Sequence, residues 1–239
     1  MKKHVVTLFI LALSGLICMP PPLASAYQEM DVADGGVIKG TVTFKGAVPM
    51  RKIIPTKDQE VCGGVRDEPQ IIVAGDRVID AIAYLKEVPK GKKWAKPTKT
   101  PELNNRKCRF EPNVQVIPAG MNVAILNSDP VLHNTHGFLI RSTVFNVAMP
   151  KPGMRVERPL RKPGLIRVEC DSHGWMRAWI LVADNPYYAV TGKDGTFTIP
   201  DVPPGNYTLV VWQEHAGSRE IPVAVKSRET VTVPTIELK

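Results

Sequence analysis

Residues 122–136 read NVAILNSDPVLHNTH, and residues 164–176 read GLIRVECDSHGWM. Each opens on a short apolar, β-branched run and closes on a polar cluster holding histidine; the second adds a cysteine and a methionine. Runs this short, bounded by Asn, Asp, Pro and Gly, are strands rather than helices. The same pattern extends outward. VIKGTVTF, VIDAIAYL and NVQVI precede the first stretch, and AWILV, GTFTI, YTLVVW, IPVAV and TVTVPTIEL follow the second. No long segment keeps an apolar period of 3.6, and 22 prolines and 18 glycines supply the punctuation of an all-β chain of sandwich type.

The start of the chain sets the compartment. MKKHVVTLFILALSGLIC places Lys2 and Lys3 before an apolar run, and LASAYQ offers Ala24 and Ala26 as the small positions of a cleavage site. Residues 1–26 are therefore expected to be a secretory signal peptide, and the protein to be periplasmic or secreted. Pro20, Pro21 and Pro22 break the apolar run too early for a spanning helix, so no membrane span is expected after cleavage. Removing the first 26 of 239 residues leaves 213, and the formal charge falls from +8 to +6 because Lys2 and Lys3 leave without an acid. A basic secreted chain suits acidic protein partners better than nucleic acid. Cys18 leaves with the signal, so Cys62, Cys108 and Cys170 remain, an odd count that in an oxidising compartment gives one disulfide and one thiol with another task.

Residues 86–107, KEVPKGKKWAKPTKTPELNNRK, carry eight basic and two acidic side chains with three prolines and no alternation. They are expected to form an exposed loop, a solvated surface or an electrostatic docking patch, with 91–107 as a basic linker.

Cys170, His173 and Met176 follow one another at spacings of three and three, which only a tight loop turns toward one point. A second imidazole must come from another strand, and His133 or His136 offers it; residues three apart on an extended strand face opposite ways, so both cannot serve equally. Thiolate, two imidazoles and thioether are the donor set of a copper ion that must be comfortable as Cu(I) and as Cu(II). The same stretches also admit a zinc site of one cysteine and three histidines. An enzyme is not expected: four protein donors on one ion leave no open position, and no Ser/His/Asp or paired-carboxylate grouping stands out.

From Arg109 to Ile180 the chain resembles the cupredoxins, the type I copper proteins of amicyanin and plastocyanin kind. The residues that carry the likeness are RFEPNVQVIPAGMNVAILNSDPVLHNTH, then Pro152–Gly153, then the loop from Cys170 to Met176 with two residues between His173 and Met176, as in amicyanin. The resemblance implies a Greek-key β-sandwich around one mononuclear copper ion. It picks His133, Cys170 and His173 for the trigonal plane and Met176 for a weak axial contact, and it leaves His136 out. It gives Asn134 the part of tying the ligand loops together beside the sulfur, and it puts the His173 ring at the surface as the route for electrons. Gly174, where a dinuclear centre needs a second cysteine, argues against that variant. Cys62 and Cys108, flanking the long insertion before this segment, are paired as a disulfide. The function implied is a single-electron shuttle between redox proteins such as a c-type cytochrome or a dehydrogenase. A copper carrier or copper-tolerance protein, or a zinc-stabilised secreted binding or scaffold module, stays open beside it.

Residues 189–212, AVTGKDGTFTIPDVPPGNYTLVVW, resemble a second family, the carboxypeptidase regulatory-like (transthyretin-like) β-sandwich, through Asp194, Gly195, Phe197, Ile199, Pro203, Pro204, Gly205 and Tyr207. GTVTFKG at 40–46 and AIAYL at 81–85 look right for its missing first strands. This implies a discontinuous sandwich of residues 35–90 and 186–239, with a copper domain of residues 108–185 inserted between. Plain tandem domains are the alternative.

Overall fold

The computed structural model describes residues 27–239, and the chain there is all-β, with one short helix, Gln59–Cys62, among the described residues. One core lies between two sheets. A five-stranded sheet runs in the order Val114–Pro118, Arg177–Ala183, Gly164–Cys170, His133–Leu139, Ser142–Met149; the four-stranded sheet runs Arg109–Glu111, Glu102–Arg106, Asn122–Asn127, Arg155–Pro159. The alternation that marks these segments as strands also fills the core: Phe145, Val147 and Met149 from one strand meet Val123, Ile125, Ile166, Val168 and Ile180 from others.

A second core joins the start of the described chain to its end. Gly36–Phe44 pairs antiparallel with Thr196–Val202 and parallel with Thr230–Thr232 and Ile236–Leu238. Ile82–Lys86 lies between Tyr188–Val190 and Gly205–Gln213, with Gly217–Val225 beyond. Ile38, Val42, Leu85, Phe197, Ile199, Leu209 and Val211 are buried in this core. A small buried cluster of Ile82, Val114, Leu181 and Trp212 joins strands of both groups.

The basic stretch differs from its expectation as a linker. Lys90–Gly91 pairs with Gln28–Glu29, the Trp94 ring packs 6.1 Å from that of Tyr27, and Glu102–Arg106 is a strand. That strand runs parallel to Asn122–Asn127 and antiparallel to Arg109–Glu111, so the first sandwich begins at 102, not 108. Its inward positions are Leu103 and Asn105, both fully buried. A single leucine among charges does not announce alternation, and a buried asparagine hides it further. Asn105 is tolerated because its amide donates to Leu126 O at 2.8 Å and to Thr135 Oγ1 at 3.0 Å. Leu103→Ala is accordingly expected to cost about 2–5 kcal/mol, read from the shift in denaturation midpoint; a linker leucine would cost next to nothing.

Residues 50–69 also serve the first sandwich. Met50–Ile53 and Arg66–Pro69 form an antiparallel hairpin around the Gln59–Cys62 helix. Cys62 reaches into the first core and is bonded to Cys108, the pairing expected. The Arg51 guanidinium donates to Trp175 O at 3.0 Å, and Arg109 donates to Glu68 at 2.8 Å. The expected signal peptide, 1–26, lies outside the described residues, and no described helix is long and apolar enough to cross a membrane.

Candidate metal centre

His133 opens the strand His133–Leu139, Cys170 closes the strand Gly164–Cys170, and these strands pair antiparallel with Thr135 opposite Cys170. After Cys170 the chain turns twice. His173 N–H donates to Cys170 O at 3.1 Å, and Met176 N–H donates to His173 O at 2.9 Å, so residues three apart come round to one side. His133, Cys170, His173 and Met176 are all buried, both histidines fully. Cys170 is the one cysteine outside a disulfide among the described residues.

Three donor atoms face one point. Cys170 Sγ is 3.8 Å from His133 Nδ1 and 3.7 Å from His173 Nδ1, and the two Nδ1 atoms are 3.1 Å apart. Donors bound at about 2.0–2.3 Å to one small ion leave separations of this size between them. Met176 shares the core with Cys170.

The outer edges of the rings decide which nitrogen carries the proton. His133 Nε2 lies 2.9 Å from Asp129 Oδ2, and His173 Nε2 lies 2.9 Å from Asp58 Oδ2. The Asp129 carboxylate also accepts from the Lys107 N–H at 2.7 Å and the Cys108 N–H at 2.9 Å. A carboxylate accepts, so each Nε2 donates and each Nδ1 is turned inward. The two Nδ1 atoms then face each other at 3.1 Å beside a thiol, with both rings fully buried. Two inward ring nitrogens repel in that arrangement unless a proton or a metal ion lies between them. The donor set therefore fits a copper ion on an observation independent of any family pattern.

Burial pushes the Cys170 thiol up, against backbone N–H groups of Asn134, Ser172 and His173 that favour its thiolate. Burial pushes the His133 imidazole down, more than its bond to Asp129 raises it. At neutral pH the metal-free site thus holds a protonated thiol and a neutral His133. Loading a metal near pH 7 should release the Cys170 proton, seen as buffer-dependent heat in calorimetry. For stability, a folded His133 below its ordinary value of 6.5 gives its full contribution above that value. The contribution is lost as pH falls, because the unfolded chain takes the proton more readily, so the metal-free denaturation midpoint should fall on acidification.

The other expected residues are placed as follows. Asn134 donates its backbone N–H toward Cys170 Sγ at 3.4 Å and its amide to Asp171 Oδ2 at 2.6 Å, joining strand to loop. His136 lies on the opposite face from His133, held by Asp171 through Nδ1 at 3.1 Å and by Thr143 Oγ1 at 2.9 Å from Nε2. One expectation is corrected: the His173 ring is fully buried rather than at the surface, because the 50–69 hairpin lies over it and Asp58 takes its Nε2. Besides His133, the ring beside it is that of Trp175, with ring centroids 5.0 Å apart.

Asp129 and Asp58 were not singled out in the sequence. Asp129, four residues before His133 in NSDPVLH, could have been. Asp58 is 115 residues from His173 and no local pattern marks it. It sits at the start of the short helix with φ 53 and no side-chain cap there, its carboxylate being committed to the imidazole. Carboxylates on the far nitrogens of ligating histidines fix the tautomer and raise basicity. Asp58→Asn and Asp129→Asn are each expected to weaken metal binding by about 10–100-fold, measured by chelator competition.

Against known proteins, one family model matches: polysaccharide lyase family 4, domain II, over residues 162–234. That is less than a third of the chain. It begins within the first sandwich, at the strands flanking the ligand loop, and runs through most of the C-terminal segment of the second, leaving out Gly36–Phe44 and Ile82–Lys86. The carboxypeptidase regulatory-like expectation is corrected here, since DG and PPG turns between alternating strands are features that different sandwich families share. No curated protein matches the chain significantly. Among solved structures, a purple cupredoxin from Nitrosopumilus maritimus is 22% identical, covering 35% of this chain and 99% of its own, at TM-score 0.31. Amicyanin from Paracoccus versutus is 18% identical over 37% of this chain and 86% of its own, at TM-score 0.33. The copper-containing nitrite reductase of Thermus scotoductus SA-01 is 17% identical over 59% of this chain and 28% of its own, at TM-score 0.32. These likenesses are distant; what the structure itself shows is an all-β chain whose 102–183 sandwich carries a buried His133, Cys170, His173 and Met176 cluster.

Proposed function

We propose that the protein is a periplasmic mononuclear type I copper protein that shuttles single electrons between redox partners. His133, Cys170, His173 and Met176 would hold the ion. Copper bound there supplies one-electron chemistry. The protein's own part is to keep one geometry for both oxidation states: the antiparallel strands fix His133 against Cys170, the double turn fixes His173, and Asp58 and Asp129 hold both rings. The observation that carries this reading is the pair of facing Nδ1 atoms, 3.1 Å apart beside a buried thiol.

With His173 buried, the half-buried Trp175 ring tilted against it is the route by which electrons reach a partner. The partner would be a c-type cytochrome or a dehydrogenase with an acidic face, opposite to the basic chain. The disulfide fits an oxidising compartment. We read the second sandwich as discontinuous, 35–90 with 186–239 apart from the 50–69 hairpin that serves the first sandwich, supported by the pairing of Gly36–Phe44 with Thr196–Val202. It presents the copper sandwich or docks a partner.

Copper carriage is a second reading, favoured by the hairpin that closes over His173. Repeated oxidation and reduction of the copper-loaded protein in the presence of a Cu(I) chelator separates the two. Electron transfer requires that copper stay bound over many cycles; rapid loss of Cu(I) to the chelator supports carriage instead.

A further inference from the structure

The disulfide lies against the metal centre, not merely near it in sequence. The sulfurs of Cys62 and Cys108 and a ring nitrogen of His173 lie within 4.8 Å of one another, all three residues buried. The Cys108 sulfur, an Asp129 oxygen and a His133 nitrogen form a second such group. A bridge that only closed a loop could have been placed anywhere along the hairpin. Placed here, its opening sets two thiols beside an imidazole, which is a set of donors selective for Cu(I).

We propose that Cys62 and Cys108 are a redox-gated second copper site, silent as a disulfide and, once reduced, holding Cu(I) through two thiolates and His173. It rests on the first-site reading only in sharing the His173 imidazole. A dithiol reductant supplies two electrons and two protons; the S–S bond breaks, two S–H bonds form, and the reductant leaves as its own disulfide. Cu(I) then displaces both thiol protons to solvent. Gly63 and Gly64, next to Cys62, are exposed with open space around them, so the chain there has the freedom to bring the sulfur in to bonding distance. Because His173 must give up Asp58 or its place at the first site, the protein would hold the ion in one of two positions according to the state of the pair.

The test uses the full chain carrying Cys170→Ser, which removes the first site's thiol. The disulfide is reduced with a dithiol in the folded protein, the reductant is removed without air, and Cu(I) affinity is measured by chelator competition. Reduced Cys170→Ser is expected to bind one Cu(I) on the order of 100-fold more tightly than its oxidised form. The gain should vanish when Cys62→Ser and Cys108→Ser are added, and should fall with His173→Ala. Circular dichroism on each sample checks that the fold is kept. Equal affinity in both forms, a pair that resists reduction while the protein is folded, or a gain that survives His173→Ala overturns the proposal. Failure of the first-site reading appears elsewhere, as an oxidised wild-type protein with copper bound but no intense visible band.

Discussion

Cys170→Ser is expected to abolish the intense visible absorption of the copper-loaded protein and to weaken copper binding severely. The band requires a thiolate bonded to Cu(II), and among the described residues Cys170 is the one cysteine outside a disulfide. Serine keeps the shape of the side chain, so the sandwich should still fold, and the loss would be chemical rather than structural. His133→Ala should remove the band as well, because it deletes one of three donors converging on the same point. His136→Ala is the control. Its ring is engaged with Asp171 and Thr143 on the far face of the strand, so the band should persist. Loss of the band in His136→Ala with retention in His133→Ala would reverse the ligand assignment.

The second large effect concerns stability. Cys62→Ser with Cys108→Ser removes a cross-link between residues 46 apart, and about 4 kcal/mol of stability should go with it. The loss should be measurable as a lower denaturation midpoint, and it should be accompanied by weaker metal retention. The reason lies in what the bridge holds. Asp58 is four residues before Cys62, and the Lys107 and Cys108 N–H groups grip the Asp129 carboxylate, so the disulfide joins the two segments whose acids orient the imidazoles. A midpoint unchanged in the double variant would mean that the hairpin is held by its polar contacts to Trp175 and Arg109 alone.

Much of the fold could be read from the chain because its signals are local. GTVTF, NVAIL, GLIRVEC and YTLVVW each combine β-branched residues with flanking turn residues, and each is a strand. The donor cluster was legible for the same reason. The spacing from Cys170 to Met176 is the turn itself, and period two along His133–Leu139 separates His133 from His136. Glu102–Arg106 was not legible. A parallel partner 22 residues away confers its pairing, and its inward residues, Leu103 and Asn105, carry no alternating apolar pattern. Nor could the burial of His173 be foreseen from its loop. The cover comes from residues 50–69, brought there by long-range contacts, and a carboxylate 115 positions away closes the imidazole off from solvent. The surface position expected for that ring came from the family pattern, which does not include this hairpin.

One copper ion bound between Cys170 Sγ and the Nδ1 atoms of His133 and His173 would be visible in optical and EPR spectra of the oxidised, copper-loaded protein. One Cu(II) per chain with an intense thiolate-to-copper band is the expected result. A colourless protein with copper bound, or a Cu(II) signal from nitrogen and oxygen donors alone, would contradict it.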